Sequence, residues 1–101
     1  MTTFPFTYYG DLLGIGHAYR LGTKIAYDKL NSFYNESFSS LSALSQQSGT
    51  QIQMFSDSLF IVGDDAYTAV QEIGNLYSNL LRKGLLLRGA IVSKKLTYGD
   101  L

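Results

Sequence analysis

Two aspartates occupy positions from which a carboxylate could take part in chemistry. Asp11 lies in a predicted strand directly before the apolar pair Leu12-Leu13, and a carboxylate in a strand that feeds a core is costly unless it is paired or binds a metal. Asp57 lies at the tip of a predicted hairpin. Two carboxylates that meet form an oxygen-rich site for Mg²⁺ or Mn²⁺, the ions of two-metal phosphoryl chemistry. The alternative is structural, with Asp57 as a turn residue and Asp11 as a polar residue at a strand edge.

Six predicted elements must position these aspartates. Aromatic and apolar runs bounded by glycine or polar residues predict strands, and apolar residues that recur at three- and four-residue spacing predict helices. In chain order, the predicted elements are a strand over 4–13, a helix over 23–47, strands over 51–55 and 58–62, a helix over 66–83 and a strand over 85–92. Asp64 and Asp65 are predicted to cap the second helix. The last strand is a near-continuous apolar run, which is typical of a strand covered on both faces.

This order of elements predicts an α+β fold. It matches the ferredoxin-like βαββαβ (split βαβ) arrangement, in which helices cover one face of an antiparallel sheet. The first and third strands are neighbours in such a sheet, so the end of the first strand can lie beside the hairpin tip that carries Asp57. The other face keeps Tyr and Leu side chains, and we expect it to meet a second subunit, a second domain or further chain.

Composition limits the class of protein. The chain has 101 residues, of which 46% are hydrophobic and 16% charged, with eight basic and eight acidic side chains. These figures predict one folded domain over 1–101 and exclude a disordered chain. Zero net charge argues against nucleic-acid and anionic-membrane partners, and no apolar run has the length of a membrane span. Cysteine is absent, which excludes disulfides, and the N-terminus lacks signal-peptide features, so we expect a cytoplasmic protein.

Three segments resemble the motifs of class III nucleotidyl cyclases. Asp11-Leu12-Leu13-Gly14-Ile15 is similar to the first-strand motif of that family. Met54-Phe55-Ser56-Asp57-Ser58-Leu59-Phe60-Ile61 is similar to its central hairpin, and Leu85-Leu86-Leu87-Arg88-Gly89-Ala90-Ile91-Val92 to the following strand. The amino-acid sequences of these segments most resemble those of bacterial pyrimidine cyclases of Pycsar anti-phage systems, which make cyclic UMP or cyclic CMP for a separate effector. The resemblance covers the N-terminal part of a cyclase domain and so implies an incomplete one.

The resemblance implies roles for individual residues. Asp11 and Asp57 would be the catalytic carboxylates that hold two Mg²⁺ or Mn²⁺ ions, and the backbone carbonyl of Leu12 would complete one metal site. A loop over 13–19 would run beside the triphosphate, where glycine lets backbone N–H groups approach phosphate oxygens. An unpaired buried arginine is costly, so Arg88 should pair with a carboxylate or a phosphate. The nucleotide-contacting set is Leu13, Gly14, Ile15, Gly16, Gln53 and Arg88.

The implied activity is conversion of a nucleoside triphosphate to a 3′,5′-cyclic nucleotide. The 3′-hydroxyl would attack the α-phosphate in line and release pyrophosphate. Gln53 takes the base-reading position, and an amide that donates and accepts suits a pyrimidine edge, so UTP or CTP is favoured. Cyclases of this class act as homodimers with the active site at the interface. The Asn and Arg that stabilise their transition state lie on a later helix, so we expect little activity from residues 1–101 alone.

Two other functions are compatible with the sequence. One is a non-catalytic ferredoxin-like interaction or sensor domain. The other is a palm-type nucleotide polymerase domain, which also binds its metal ions at a hairpin. A polymerase would make oligonucleotide products, whereas a cyclase makes a cyclic mononucleotide.

Overall fold

The structure is a computed structural model that describes residues 4–94. Over these residues the chain forms four strands and four helices, which confirms the α+β class. The elements are β1 (Phe6–Leu12), α1 (Ile15–Leu21), α2 (Thr23–Ser40), α3 (Ser42–Ser45), β2 (Gln51–Phe55), β3 (Ser58–Gly63), α4 (Ala66–Arg82) and β4 (Leu87–Val92). In the described part of the chain, no helix is both long enough and apolar enough to cross a bilayer.

The four strands form one antiparallel sheet in the order β2-β3-β1-β4. β1 therefore lies between β3 and β4, although both of these strands follow it in the chain. This interleaving is compatible with the split βαβ, ferredoxin-like arrangement predicted from the order of elements. It also makes the first and third strands neighbours, with Asp11 of β1 opposite Ser58 of β3.

The core lies between one face of the sheet and the helices. Side chains on a strand alternate between faces, and the even-numbered members of β1 point toward the helices. The fully buried large side chains come from the sheet, α2, α3, α4 and the short link before α3, and they are Phe6, Phe33, Leu41, Leu44, Leu59, Ile61, Leu76 and Leu80. Tyr8 joins this core, and its hydroxyl lies 2.8 Å from that of Tyr77. Burial, followed by this hydrogen bond, raises the pKa of the Tyr8 phenol, which therefore stays neutral at physiological pH.

The single helix predicted over 23–47 is interrupted. α2 ends at Ser40, Leu41 leaves helical geometry with φ −103° and ψ 21°, and the short helix α3 follows. Serine hydroxyls in this stretch hydrogen bond to backbone carbonyls, as Ser37 does to Phe33 and Ser45 does to Ser42. Such bonds compete with helical geometry and bend helices.

The loop predicted over 13–19 was wrong, because α1 begins at Ile15. Gly14 has a φ of 84°, in the left-handed region that glycine adopts readily, so the chain turns directly from β1 into the helix. Ile15 and Ala18 are buried and stand three residues apart, which gives this short helix a packing face. The two glycines had marked the segment as a loop, but they flank a helix start instead.

The prediction that the last strand is covered on both faces was also wrong. β4 begins at Leu87, which is buried, but residues 88–92 are exposed. Within residues 4–94, β4 pairs only with β1 and so forms an edge of the sheet. A continuous apolar run does not distinguish an edge strand from a central one.

The predicted cap of the second long helix is present. Asp65 is the N-cap of α4, and its carboxylate accepts hydrogen bonds from the Thr68 N–H at 3.1 Å and the Thr68 hydroxyl at 2.7 Å. The side-chain amide of Gln47 donates to the same carboxylate at 3.0 Å. The hydrogen bonds from Thr68, and then the one from Gln47, lower the pKa of Asp65 because they favour its charged form.

Candidate functional site

The end of β1 lies beside the tip of the β2–β3 hairpin. The Leu12 N–H donates to the Asp57 carbonyl at 2.7 Å, directly after the register pair of Asp11 with Ser58. The hairpin tip is also tied to α2, because the Tyr34 hydroxyl donates to the Ser56 carbonyl at 2.7 Å. These bonds place the backbones of Asp11 and Asp57 at the same end of the sheet.

Asp11 is held on the sheet face that points away from the helices, which we call the open face. Its Oδ1 atom accepts hydrogen bonds from the Tyr9 hydroxyl at 2.8 Å and from the Ser58 hydroxyl at 3.0 Å. Among the described residues, no side chain or backbone group donates to its second oxygen, Oδ2. Asp11 is half-buried, as is Asp57. The Asp11 carboxylate therefore has one saturated oxygen and one available oxygen.

The strand register places Gln53 and Arg88 on the open face as well. One row across the sheet consists of Arg88, Asp11, Ser58 and Phe55, and the next consists of Ala90, Tyr9, Phe60 and Gln53. Arg88 is exposed and forms no ion pair within residues 4–94, whose two ion pairs are Lys24–Asp28 and Lys83–Glu36. The expectation that Arg88 is buried was therefore wrong, because β4 is an edge strand, and the described residues offer it no carboxylate partner; its pairing with a phosphate stays a prediction.

The predicted phosphate-contacting residues follow Asp11 at the start of α1. Gly14 and Gly16 are exposed, and the Leu13 N–H donates to the Leu86 carbonyl at 2.8 Å. Ile15 is only 5% exposed, so its side chain belongs to the core and only its backbone could face a ligand. The same holds for Leu12, whose side chain is buried in the core cluster.

The donor set at this end of the sheet suits a hard divalent cation. Asp11 and Asp57 offer carboxylate oxygens, and Leu12 offers a backbone carbonyl at the end of β1. Residues 4–94 contain no group of three or more His, Cys, Asp or Glu side chains that could hold a metal. Mg²⁺ keeps several of its waters and is usually bound through one or two carboxylates plus substrate phosphates, so a site for it needs no more than two protein carboxylates.

Comparison with known proteins adds no family assignment. Neither the protein-family models nor the curated proteins contain a match to the chain.

Sequence reasoning missed Tyr9 and Ser58, the two residues in the described part of the chain whose hydroxyls donate to Asp11. The period of two along a strand could have shown that Tyr9 shares a face with Asp11. Ser58 becomes visible only when the register of β1 against β3 is known, since it is the residue directly opposite Asp11.

An apolar cavity lies apart from this site. It has a volume of about 490 Å³ and lies on the helix side of the sheet, where Phe38, Leu41, Ile52 and Met54 form part of its wall. None of its lining residues is charged, and none is among the predicted site residues. It shares Tyr34 with the hairpin tip, and none of its lining residues hydrogen bonds to Asp11.

Proposed function

We propose that this chain supplies the metal- and nucleotide-binding part of a nucleotidyl cyclase. The enzyme would convert UTP or CTP to a 3′,5′-cyclic nucleotide and pyrophosphate, and the product would signal to a separate effector in bacterial anti-phage defence. One observation carries the proposal. The hydrogen bond from the Leu12 N–H to the Asp57 carbonyl, at 2.7 Å, joins two segments that each resemble a cyclase metal motif.

Three oxygen donors would hold the metal. They are the free Oδ2 of Asp11, the carboxylate of Asp57 and the carbonyl of Leu12. Two bound divalent ions would neutralise charge on the triphosphate and activate the attacking 3′-hydroxyl. Because both aspartates are half-buried, their attraction for a cation is screened less than that of a fully exposed pair.

The open face would contribute the remaining nucleotide contacts. Arg88 is opposite Asp11 in the strand register and has no ionic partner among the described residues, so its guanidinium is available for a phosphate. Gln53 is exposed on the same face, where its amide could donate to and accept from a pyrimidine edge. The backbone N–H groups of Gly14 and Gly16, two exposed residues, would face the triphosphate.

A homodimer with the active site at its interface belongs to the same proposal. Tyr9 is 48% exposed and Phe55 is 65% exposed, and both lie on the open face that carries Asp11. Exposed aromatic surface of this kind is characteristic of interaction sites. A second copy that covers this face would also exclude water from the nucleotide.

The same exposed surface favours a second candidate function, a non-catalytic interaction domain. Such a domain would bind a partner protein through Tyr9, Phe55 and their neighbours on the open face. It would have no need of a metal ion. Metal dependence of nucleotide binding therefore separates the two candidates.

Calorimetric titration of the protein with nucleotides tests the proposal. We expect UTP or CTP to bind in the presence of Mn²⁺, to bind more tightly than ATP, and to lose this binding when EDTA removes the metal. Binding is the appropriate readout because it requires only Asp11, Asp57 and the residues around them. Failure of every nucleotide to bind with Mn²⁺ at millimolar concentration would contradict the cyclase proposal and favour the interaction domain.

A further inference from the structure

Tyr9, Asp11 and Ser58 form a triangle of polar side chains on the open face, in which both hydroxyls donate to the carboxylate. The Tyr9 and Ser58 hydroxyls both donate to Oδ1 of Asp11, at 2.8 Å and 3.0 Å, and the two hydroxyl oxygens are 3.3 Å apart. Tyr9 stands two residues before Asp11 on β1, and Ser58 is opposite Asp11 on β3. The triangle therefore spans two strands.

Two donors on one oxygen restrict how the carboxylate can turn. The terminal torsion of an aspartate is broad, so an unsupported carboxylate samples many orientations. Hydrogen bonds to an ionised acceptor are stronger than those between neutral groups, and here both act on Oδ1. The carboxylate is thereby oriented with Oδ2 as its free atom.

Ser58 has a second consequence, because it follows Asp57 in the chain. Its hydrogen bond to Asp11 connects the first residue of β3 to the second-last residue of β1. This bond lies beside the one between the Leu12 N–H and the Asp57 carbonyl. The hairpin tip is thus held to β1 by one side-chain bond and one backbone bond. Both bonds restrict how far the two aspartates can separate.

We propose that Tyr9 and Ser58 are positioning residues, which hold Asp11 so that Oδ2 is the atom that binds the divalent cation. This inference rests on the proposed function. Neither residue would touch the metal or the nucleotide in this role. Partners of this kind behind a metal ligand fix its orientation, and their loss usually weakens metal affinity about 10–100-fold.

Titration of Mn²⁺, followed by the electron paramagnetic resonance signal of the free ion, tests the inference. We expect Tyr9→Phe and Ser58→Ala each to weaken Mn²⁺ binding by about 10-fold, near the lower end of the usual range because one donor to Oδ1 remains. Ser58→Thr keeps the hydroxyl and should restore affinity. Tyr67→Phe is the matched control, since Tyr67 is 75% exposed on α4 and should bind Mn²⁺ like the wild type. Thermal unfolding in EDTA checks that each variant is folded.

The outcomes separate the two proposals. If Asp11→Asn loses Mn²⁺ while Tyr9→Phe and Ser58→Ala bind it as the wild type does, the positioning role is wrong and the metal site stands. The positioning role is equally wrong if Ser58→Thr binds as weakly as Ser58→Ala. If the wild type itself binds no Mn²⁺ either alone or with UTP or CTP present, the proposed function and the positioning role both fail.

Discussion

Asp11→Asn and Asp57→Asn should each weaken Mn²⁺ binding by more than about 100-fold, which is the largest functional effect that we expect. Each substitution removes a charged metal ligand, whereas loss of a residue that only supports a ligand weakens metal affinity less. Asparagine keeps the size of aspartate and an oxygen that can accept from Tyr9 and Ser58, so the local fold should survive. It loses the negative charge that hard divalent cations require. The Mn²⁺-dependent binding of UTP or CTP should disappear in the same variants, as measured by calorimetry.

Asp28→Asn is the matched control for these substitutions. Asp28 is an exposed carboxylate on α2 that pairs with Lys24, so its removal costs one surface charge without touching the hairpin. It should bind Mn²⁺ like the wild type. Equal loss in all three variants would mean that the cation responds to net charge and not to a site at Asp11 and Asp57.

Gly89→Ala should destabilise the sheet more than any other alanine substitution at a described glycine. A Cβ at position 89 would overlap the Tyr9 carbonyl oxygen and lie 2.8 Å from the Gly10 Cα, both backbone atoms of the neighbouring strand. Backbone cannot rotate out of the way as a side chain can, so β4 must move away from β1. Overpacking of this kind typically costs about 1–3 kcal/mol, and we expect the upper end of that range in the free energy of unfolding from urea titration.

Gly74→Ala is a control that should change the free energy of unfolding in the opposite direction. Gly74 lies within α4, and a Cβ there would meet no atom within 4 Å. Replacing glycine by alanine in a helix interior should stabilise the protein by about 0.5–1 kcal/mol. If Gly89→Ala unfolds at the same urea concentration as the wild type while Gly74→Ala is stabilised, the close approach of β4 to β1 is wrong.

Local patterns predicted the elements that carry strong signals of their own. The two hairpin strands were predicted with correct bounds except that β3 ends one residue later, at Gly63. The prediction was possible because two short apolar runs flank the polar Ser56-Asp57 pair. The long helix α4 was equally clear, since its apolar residues recur at helical spacing and Asp65 provides a cap. Each of these two signals is local, because it lies within one continuous segment of the chain.

Features that depend on distant segments could not be predicted in the same way. β4 has the composition of a central strand, and only the strand order shows that it is an edge. Helix α1 was missed because Gly14 and Gly16 were interpreted as loop markers, although Ile15 and Ala18 pack into the core. A seven-residue helix of this kind depends on tertiary packing more than on its own propensity.

The candidate site likewise has features that could be predicted from the sequence and features that could not. The order of elements was enough to predict that the end of β1 approaches the hairpin tip, and the structure has this contact. The bonds from Tyr9 and Ser58 to Asp11 required the exact register, because a shift by one residue would move every side chain to the other face. The exposure of Arg88 likewise followed from the edge position of its strand.

Paramagnetic broadening of the backbone amide signals in nuclear magnetic resonance spectra locates bound Mn²⁺ along the chain. As substoichiometric Mn²⁺ is added, the amides of Asp11, Leu12, Asp57 and Ser58 should broaden before all others, because they surround the proposed donor atoms. Broadening that begins instead near Asp28 or Asp65, or that affects exposed carboxylates evenly along the chain, would contradict a divalent-cation site at the end of β1.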